Sequence, residues 1–175
     1  MVEEEVPKRI KVLMNELGLT LDDRKVVEVA LKKKDQSSYP AIALQLKNGT
    51  IVTGRQTDLL TPPASVVLNA VKELTNIPDS IQLLSPSVLE PIVALKSSSF
   101  NRETNLLNLQ EVLIALSICS VTNPVVATAL ENLEKLKDCE AHATYIVQNG
   151  DLKTLRNLEI RLTCEDEFYQ MKKDV

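Results

Sequence analysis

The sequence predicts an α/β fold in three layers, α/β/α, with a mixed five-stranded sheet that opens with a β-hairpin and is preceded by two helices. Its length of 175 residues suits one domain. Near residue 39 the apolar spacing changes from a helical period to a strand period of two, and helical and strand patterns then alternate. Such alternation is typical of a sheet covered by helices on both faces. We expect a helical N-terminal segment over 1–38 and an α/β domain over 39–175.

Two helices are predicted ahead of the first strand. In the first, apolar residues recur at steps of four, three and four, which places them on one helical stripe, and Gly18 follows as a C-cap. The second begins near Thr20, which forms a capping-type pattern with Asp23. The first stripe consists of Val6, Ile10, Leu13 and Leu17, and the second buries Val26, Val27, Ala30 and Leu31.

A β-hairpin is the clearest local pattern in the chain. Residues 41–46 and 50–53 alternate as two strands, and Asn48 and Gly49 lie between them. An Asn-Gly pair predicts a type I′ turn, because both central residues of that turn need positive φ.

Proline marks most of the later helix starts. A proline in the first helical turn loses no hydrogen bond, because its N–H would be unpaired there in any case. Ser85 and Asn123 each precede such a proline as N-caps. The predicted helices begin near Pro62, Pro86, Leu109, Pro124 and Gly150.

Three further strands complete the predicted sheet. In the last of them Ile160, Leu162 and Cys164 are expected to face inward, with Arg161 and Thr163 facing outward. Strands joined through helices should run parallel. The three strands are predicted over 81–84, 139–147 and 158–164, a polar loop over 97–107, and a charged, frayed end over the last ten residues.

Charge and composition exclude several classes of protein. The net charge is -4 and there are five aromatic residues and no Trp, so neither a basic patch nor a base-stacking platform is present, and we expect no nucleic-acid partner. The Lys32, Lys33 and Lys34 run lies at a predicted helix end, where cations complement the helix dipole. The acidic start lacks the pattern of a signal peptide, and no apolar run is long enough to span a bilayer, so we expect a cytoplasmic protein with no membrane partner.

The three cysteines point to reduced thiols. Cys119, Cys139 and Cys164 are far apart and lie in apolar surroundings, with no C-x-x-C pair. Neither a disulfide framework nor a metal site follows from this spacing, and we expect buried, reduced side chains. No cofactor is predicted.

His142 is the single histidine, in the middle of a predicted strand. A catalytic histidine needs a positioned partner, and none is evident in the sequence, so we expect a structural or surface role. Cys139 lies three residues earlier and falls on the opposite face of a regular strand, which disfavours a Cys-His pair.

A second set of candidates clusters at predicted helix starts. Asp58, Thr61 and Ser85 are placed either to cap helices or to border an anion site formed by free N–H groups, and capping is the commoner role. Arg55 and Arg102 would either add positive charge to such a pocket or lie as solvated residues on the surface. We predict no catalytic residue, and our candidate ligand-binding set is Arg55, Asp58, Ser85 and His142.

An ordered series of segments runs through the chain, namely 41–44 (AIAL), 49–54 (GTIVTG), 68–70 (LNA), 84–86 (LSP), 111–117 (EVLIALS), 139–142 (CEAH) and 162–165 (LTCE). This series resembles the C-terminal part of one bacterial family, catalogued as domain of unknown function 1846. The resemblance extends from Val6 to Gln170. In this family a larger N-terminal region carries a glycine-rich segment similar to a phosphate-binding loop. The resemblance therefore implies that this chain, with only four glycines and no such loop, corresponds to the C-terminal portion alone.

A second resemblance concerns the fold only. The hairpin with the sequence NGTIVTG, followed by helix, strand and helix, is similar to the opening of a cytidine-deaminase-like domain. Those enzymes hold zinc with His or Cys at the first helix start and with a P-C-x-x-C motif at the second. Here residues 61–65 read TPPAS and residues 86–89 read PSVL, which offer no such ligand. The resemblance implies that fold without the zinc site.

These observations favour a non-catalytic accessory or oligomerisation domain of a larger bacterial cytosolic protein. Its expected partner is a second copy or the N-terminal region of the full-length family protein. The alternative is a small-ligand or enzymatic domain whose active site is completed by that N-terminal region. Convergence of the candidate side chains in one pocket would favour the alternative.

Overall fold

We describe residues 2–20, 23–99 and 105–166 of a computed structural model, with side chains from residue 8 onward. Arg102, the side chains of Glu3 to Glu5 and the end of the chain beyond residue 166 lie outside these residues. The helices are α1 (Val2–Glu16), α2 (Lys25–Ser37), α3 (Pro62–Thr75), α4 (Pro86–Ser99), α5 (Leu109–Ser120), α6 (Pro124–Glu131) and α7 (Asn149–Asn157), with a 3-10 helix at Asn132–Leu136. The strands are β1 (Ala41–Gln45), β2 (Ile51–Arg55), β3 (Glu140–Ala143) and β4 (Arg161–Cys164).

The sheet is mixed and has four strands within the described residues, in the order β2-β1-β3-β4. β1 runs antiparallel to both β2 and β3, and β3 runs parallel to β4. The strands joined through helices, β2 to β3 and β3 to β4, therefore share one direction, as the sequence predicts. The α/β class and the mixed sheet are confirmed.

The prediction of a fifth strand over 81–84 is wrong. The N–H of Ile81 donates to the carbonyl of Pro78 at 3.0 Å, which closes a turn where the strand was expected to begin. Leu83 and Leu84 are buried in irregular backbone. A short apolar run shows that a segment is buried, but it does not distinguish a strand from another buried conformation.

The hairpin is present, but its turn differs from the prediction. Gly49 has φ 89, whereas Asn48 is not among the residues with positive φ. The N–H of Gly49 donates to the carbonyl of Leu46 at 2.9 Å, and the N–H of Leu46 donates to the carbonyl of Thr50 at 2.8 Å. This is a type I turn followed by a glycine bulge, which needs only one left-handed residue. The Asn48 side chain instead accepts from the N–H of Thr50.

The sheet has helices on both faces, which confirms the three layers. Ile42 and Leu44 point into the main core, which is formed with α3, α5, α6 and α7. Ala43 points to the other face and packs against Val26 and Ala30 of α2. The division at residue 38 stays a prediction, as does the likeness to the cytidine-deaminase-like fold.

A glycine allows α3 to lie directly on β2. A Cβ built at Gly54 would lie 2.7 Å from the Cα of Val66 and 2.8 Å from the carbonyl oxygen of Pro62. No ordinary side chain tolerates such distances, so this position brings the start of α3 onto the sheet.

α3, α4 and α6 begin at Pro62, Pro86 and Pro124 as predicted, whereas α2 begins at Lys25, with Arg24 rather than Thr20 as its N-cap residue. Asn108 and Glu111 form a capping box at the start of α5, and the Asn123 side chain accepts from the first N–H groups of α6. Asn149 begins α7 one residue earlier than expected, and α4 continues to Ser99, into the predicted loop.

The last strand differs from expectation at one residue. Arg161 and Thr163 are exposed and Leu162 is partly buried against the core, as predicted. Cys164 is exposed rather than buried, because β4 lies at the edge of the sheet that the described residues form. Cys119 is half-buried and Cys139 is buried. Within the part of the chain that is described, no helix is both long and apolar enough to cross a membrane.

Candidate functional site

A groove opens between α3, the loop after β2 and the segment that leads into α4. Its cavity volume is about 300 Å³, at the lower end of the range for small-molecule pockets. The rim carries the exposed carboxylate of Asp58 and the side chains of Asn69, Lys72 and Gln82. The floor consists of Leu59, Leu60, Leu68, Leu83, Leu84 and Leu89.

Two of the rim side chains are held by other parts of the chain. Asn69 donates from Nδ2 to the carbonyl of Thr53 at 2.8 Å. Lys72 donates from Nζ to the carbonyl of Asp79 at 3.0 Å, and it lies 3.6 Å from the carboxylate of the same residue. Lys72 is thus paired with Asp79. The carboxylate of Asp58 therefore places a negative charge above the apolar floor of the groove. This arrangement suits a small apolar molecule with a cationic group.

His142 lies on the opposite face of the sheet, and its ring bridges two side chains of the β4 region. Nδ1 is 2.8 Å from the hydroxyl of Thr163, and Nε2 is 3.0 Å from the carboxylate of Glu165. Burial lowers the pKa of His142 below its usual 6.5, and the pairing with Glu165 opposes that shift. The ring is therefore neutral at pH 7, with one nitrogen donating and the other accepting.

Arg24, the N-cap residue of α2, completes this cluster. Its guanidinium donates to the hydroxyl of Thr163, to the carboxylate of Glu140 at 3.2 Å and to the carbonyl of Ala141 at 3.5 Å. A hydroxyl beside a neutral imidazole resembles a nucleophile with its base. Here, however, the polar groups satisfy one another, and the cluster anchors the start of α2 to β3 and β4. We call Arg24, Glu140, His142, Thr163 and Glu165 the His142 cluster.

A separate polar network is buried where α5 and α7 begin. Asp151 is 3% exposed, and its carboxylate accepts from the N–H of Leu109 at 2.6 Å. Burial raises the pKa of Asp151 above its ordinary value, and the hydrogen bond from Leu109 opposes that shift. Lys96 of α4 donates to the carboxylate of Glu111 and to the carbonyl of Leu106, both at 2.7 Å. The network holds α4 to the start of α5, and α5 to α7.

The four candidate ligand-binding residues do not meet in one cavity. Asp58 lines the groove, and Ser85 lies between two residues that line it, with its hydroxyl 2.7 Å from that of Ser87. Arg55 pairs with Ala41 in the sheet, so it lies on the α2 face together with His142. The Arg55 guanidinium covers the Tyr39 ring at 5.3 Å. A ligand-binding role for the set stays a prediction.

The sequence reasoning found His142 but missed its partners. Glu140 and His142 alternate onto one face of β3, and Thr163 and Glu165 alternate onto one face at β4. That alternation was a usable signal, but only the parallel register between the two strands brings the pairs together. Across the described residues, no three His, Cys, Asp or Glu side chains are grouped as ligands for a metal ion.

The apolar stripe of α1 is uncovered. Ile10 is 51% exposed, Leu13 is 49% exposed and Leu17 is 70% exposed. None of the described α1 side chains is buried, and only Met14 is half-buried. Val6, the first residue of the predicted stripe, lies outside the residues whose side chains are described. We call Ile10, Leu13 and Leu17, the last of which directly follows α1, the α1 stripe.

Comparison with known protein families shows which family this chain belongs to. Residues 22–173 match the family described as domain of unknown function DUF1846, C-terminal. The chain belongs to this family. The family resemblance seen in the sequence is thereby confirmed, and α1 lies ahead of the matched C-terminal domain.

The curated relatives in this family are longer proteins. A UPF0371 protein of Clostridium tetani (strain Massachusetts / E88) is 44% identical over 175 residues, covering 95% of this chain and 35% of the relative. The UPF0371 protein of Clostridium botulinum (strain Langeland) is 43% identical over 175 residues, and this alignment also covers 95% of this chain and 35% of the relative. That of Clostridioides difficile (strain 630) is 45% identical over 168 residues, covering 91% of this chain and 34% of the relative. The chain thus spans about a third of the length of these relatives.

Proposed function

We propose that this chain is a non-catalytic docking domain of a larger bacterial cytosolic protein, and that the α1 stripe is its contact with the region that precedes the C-terminal domain in the family. The observation that carries the proposal is the exposure of Ile10, Leu13 and Leu17 on one helical face. The helix precedes the matched domain, and the relatives contain about twice as much further sequence as this chain covers.

The low stability of short isolated helices supports the proposal that another surface covers α1. An isolated helix of up to about 15 residues is marginal in water, and most helices in proteins are stabilised by packing an apolar face. α1 has 15 residues and an apolar stripe, but none of its described side chains is buried. A surface that covers the stripe would supply that stabilisation.

Hydrogen exchange measured by mass spectrometry tests this proposal. We expect α1 amides to exchange almost freely in this chain, and the segment aligned with α1 in the intact Clostridium tetani relative to exchange at least about 100-fold more slowly, because packing must open before exchange. Rapid exchange in both proteins would overturn the proposal.

Light scattering of this chain separates docking from self-association. A multiple of 19.4 kDa that disappears in Leu13→Glu but persists in Lys11→Glu would show that a second copy covers the α1 stripe, which would also overturn the proposal. Lys11 is the matched control because it is an exposed residue of the same helix that lies off the stripe.

A small-ligand domain, completed by the preceding region, is the second candidate. It is favoured by the groove, in which the Asp58 carboxylate lies above a floor of leucines. Cyclohexylamine is a suitable probe, and amide shifts at Leu59 and Asn69 that are lost in Asp58→Asn would support this candidate. Equal shifts with cyclohexanecarboxylate, or none with either probe, would exclude selective binding of a cationic ligand by the groove.

A further inference from the structure

α5 is apolar on two faces. Val112, Ala115 and Leu116 are buried in the core, as expected for the inner face of a helix. On the outer face Ile114 is 54% exposed and Ile118 is 67% exposed. A helix with apolar residues on all sides is typical of a buried element, so the outer face is suited to a partner.

The apolar surface continues past the end of α5. Val121, the C-cap residue, is 83% exposed, and it follows Ile114 and Ile118 at helical spacing. Val125, in the first turn of α6, is 39% exposed. We call Ile114, Ile118, Val121 and Val125 the α5–α6 surface. Its side chains expose on the order of 400 Å² of apolar area, comparable with the largest patch on a typical monomer.

This surface lies in a stretch without charge. Residues 112–130 contain no Asp, Glu, Lys or Arg, although a quarter of the whole chain is charged. The other exposed residues within this stretch are neutral as well, namely Ser117, Thr122, Asn123, Pro124 and Thr128. Depletion of charge is the compositional mark of the centre of a protein interface.

We propose that the α5–α6 surface is a homodimer interface, covered by the same surface of a second copy of this chain. The charge pattern favours that occupant. A chain of net charge -4 repels its own copy, and the repulsion is weakest where two uncharged surfaces meet. A two-fold interface places each residue near its own counterpart, so a surface without charges has no like-charge pairs to oppose the contact.

The expected affinity is modest. Stable interfaces bury about 800 Å² on each partner, and the apolar residues of this surface supply about half of that. The neutral exposed residues of the same stretch would have to supply the remainder. We therefore expect a dimer with a dissociation constant in the micromolar range, visible across a concentration series.

Light scattering of the whole chain, from about 1 to 500 μM, tests the interface. The wild type should approach twice 19.4 kDa with rising concentration. Ile118→Glu and, separately, Val121→Glu should each weaken the dimer at least about 100-fold, because a carboxylate would be buried beside its counterpart. Both positions are mostly exposed, so circular dichroism and the unfolding midpoint should match those of the wild type.

Two control variants test whether the dimer depends on the α5–α6 surface rather than on another exposed apolar residue. Ile81→Glu carries the same change at another exposed isoleucine, and the dimer should persist. Leu13→Glu alters the α1 stripe, and this variant should also remain dimeric. That result would show that the dimer does not depend on the α1 stripe, which the docking proposal assigns to another contact. A wild type that remains monomeric, or an Ile118→Glu variant that dimerises as the wild type does, would overturn the inference.

Discussion

At the scale of single residues, His142 shows how burial and pairing oppose each other. The residue is 3% exposed, and this burial penalises the charged form, while Glu165 lies 3.0 Å from Nε2 and favours it. Burial prevails, and the nearby Arg24 guanidinium lowers the pKa further. A neutral imidazole can still make the hydrogen bond with Thr163, because its Nδ1 can accept from the hydroxyl.

We expect an NMR titration of His142 to give a pKa below 6.5, and the single histidine makes the signal unambiguous. Because the pKa is lower in the folded state, the unfolded state takes up the proton first as the pH falls. The free energy of unfolding should therefore decrease from about pH 7 downward, more steeply in the wild type than in His142→Asn. A measured pKa above 6.5 would show that pairing with Glu165 outweighs burial.

At the scale of elements, the contact between β2 and α3 depends on the missing side chain of Gly54. The backbone of α3 at Val66 and Pro62 lies where a Cβ would be. Backbone atoms cannot move aside as a flexible side chain does, so the two elements would have to separate. The same helix carries Leu68, Asn69 and Lys72, which line the groove, so the contact also sets the groove's shape.

Gly54→Ala should therefore destabilise the chain by about 3 kcal/mol or more, as overpacking in a tight contact does. Gly150→Ala is the matched control, because its Cβ would meet only the Asn108 side chain at 3.5 Å and alanine favours a helix. Its unfolding free energy should be unchanged or higher. Urea denaturation measures both variants, and an equal effect at the two glycines would contradict the close approach of α3.

At the scale of the whole molecule, the two leading helices differ in how they join the fold. α2 buries Val26 and Ala30 against the sheet and is tied to β3 through Arg24. No described side chain of α1 is buried. The family match, which begins at residue 22, includes α2 and leaves α1 out.

Two truncations test this difference. Removal of residues 1–20 should lower the free energy of unfolding by less than about 1 kcal/mol, because little surface is uncovered. Removal of residues 1–38 should lower it by more than about 3 kcal/mol, because the α2 face of the sheet loses its apolar cover. Equal losses in urea denaturation would show that the α1 stripe packs on this domain.

Much of the architecture was readable from the sequence, because local signals determine it. Proline and N-cap residues mark where α3, α4 and α6 begin, and the alternation around Asn48 and Gly49 marks the hairpin. These features depend on residues close together in the chain, so spacing alone predicts them.

What only the tertiary structure decided is how distant segments meet. The parallel register of β3 and β4 places Thr163 and Glu165 beside His142, and the edge position of β4 exposes Cys164. Residues 81–84 looked like a strand because they are apolar, yet they bury Leu83 and Leu84 without joining the sheet. An apolar residue in a sequence shows a preference for burial, but which surface buries it depends on the packing of the whole chain.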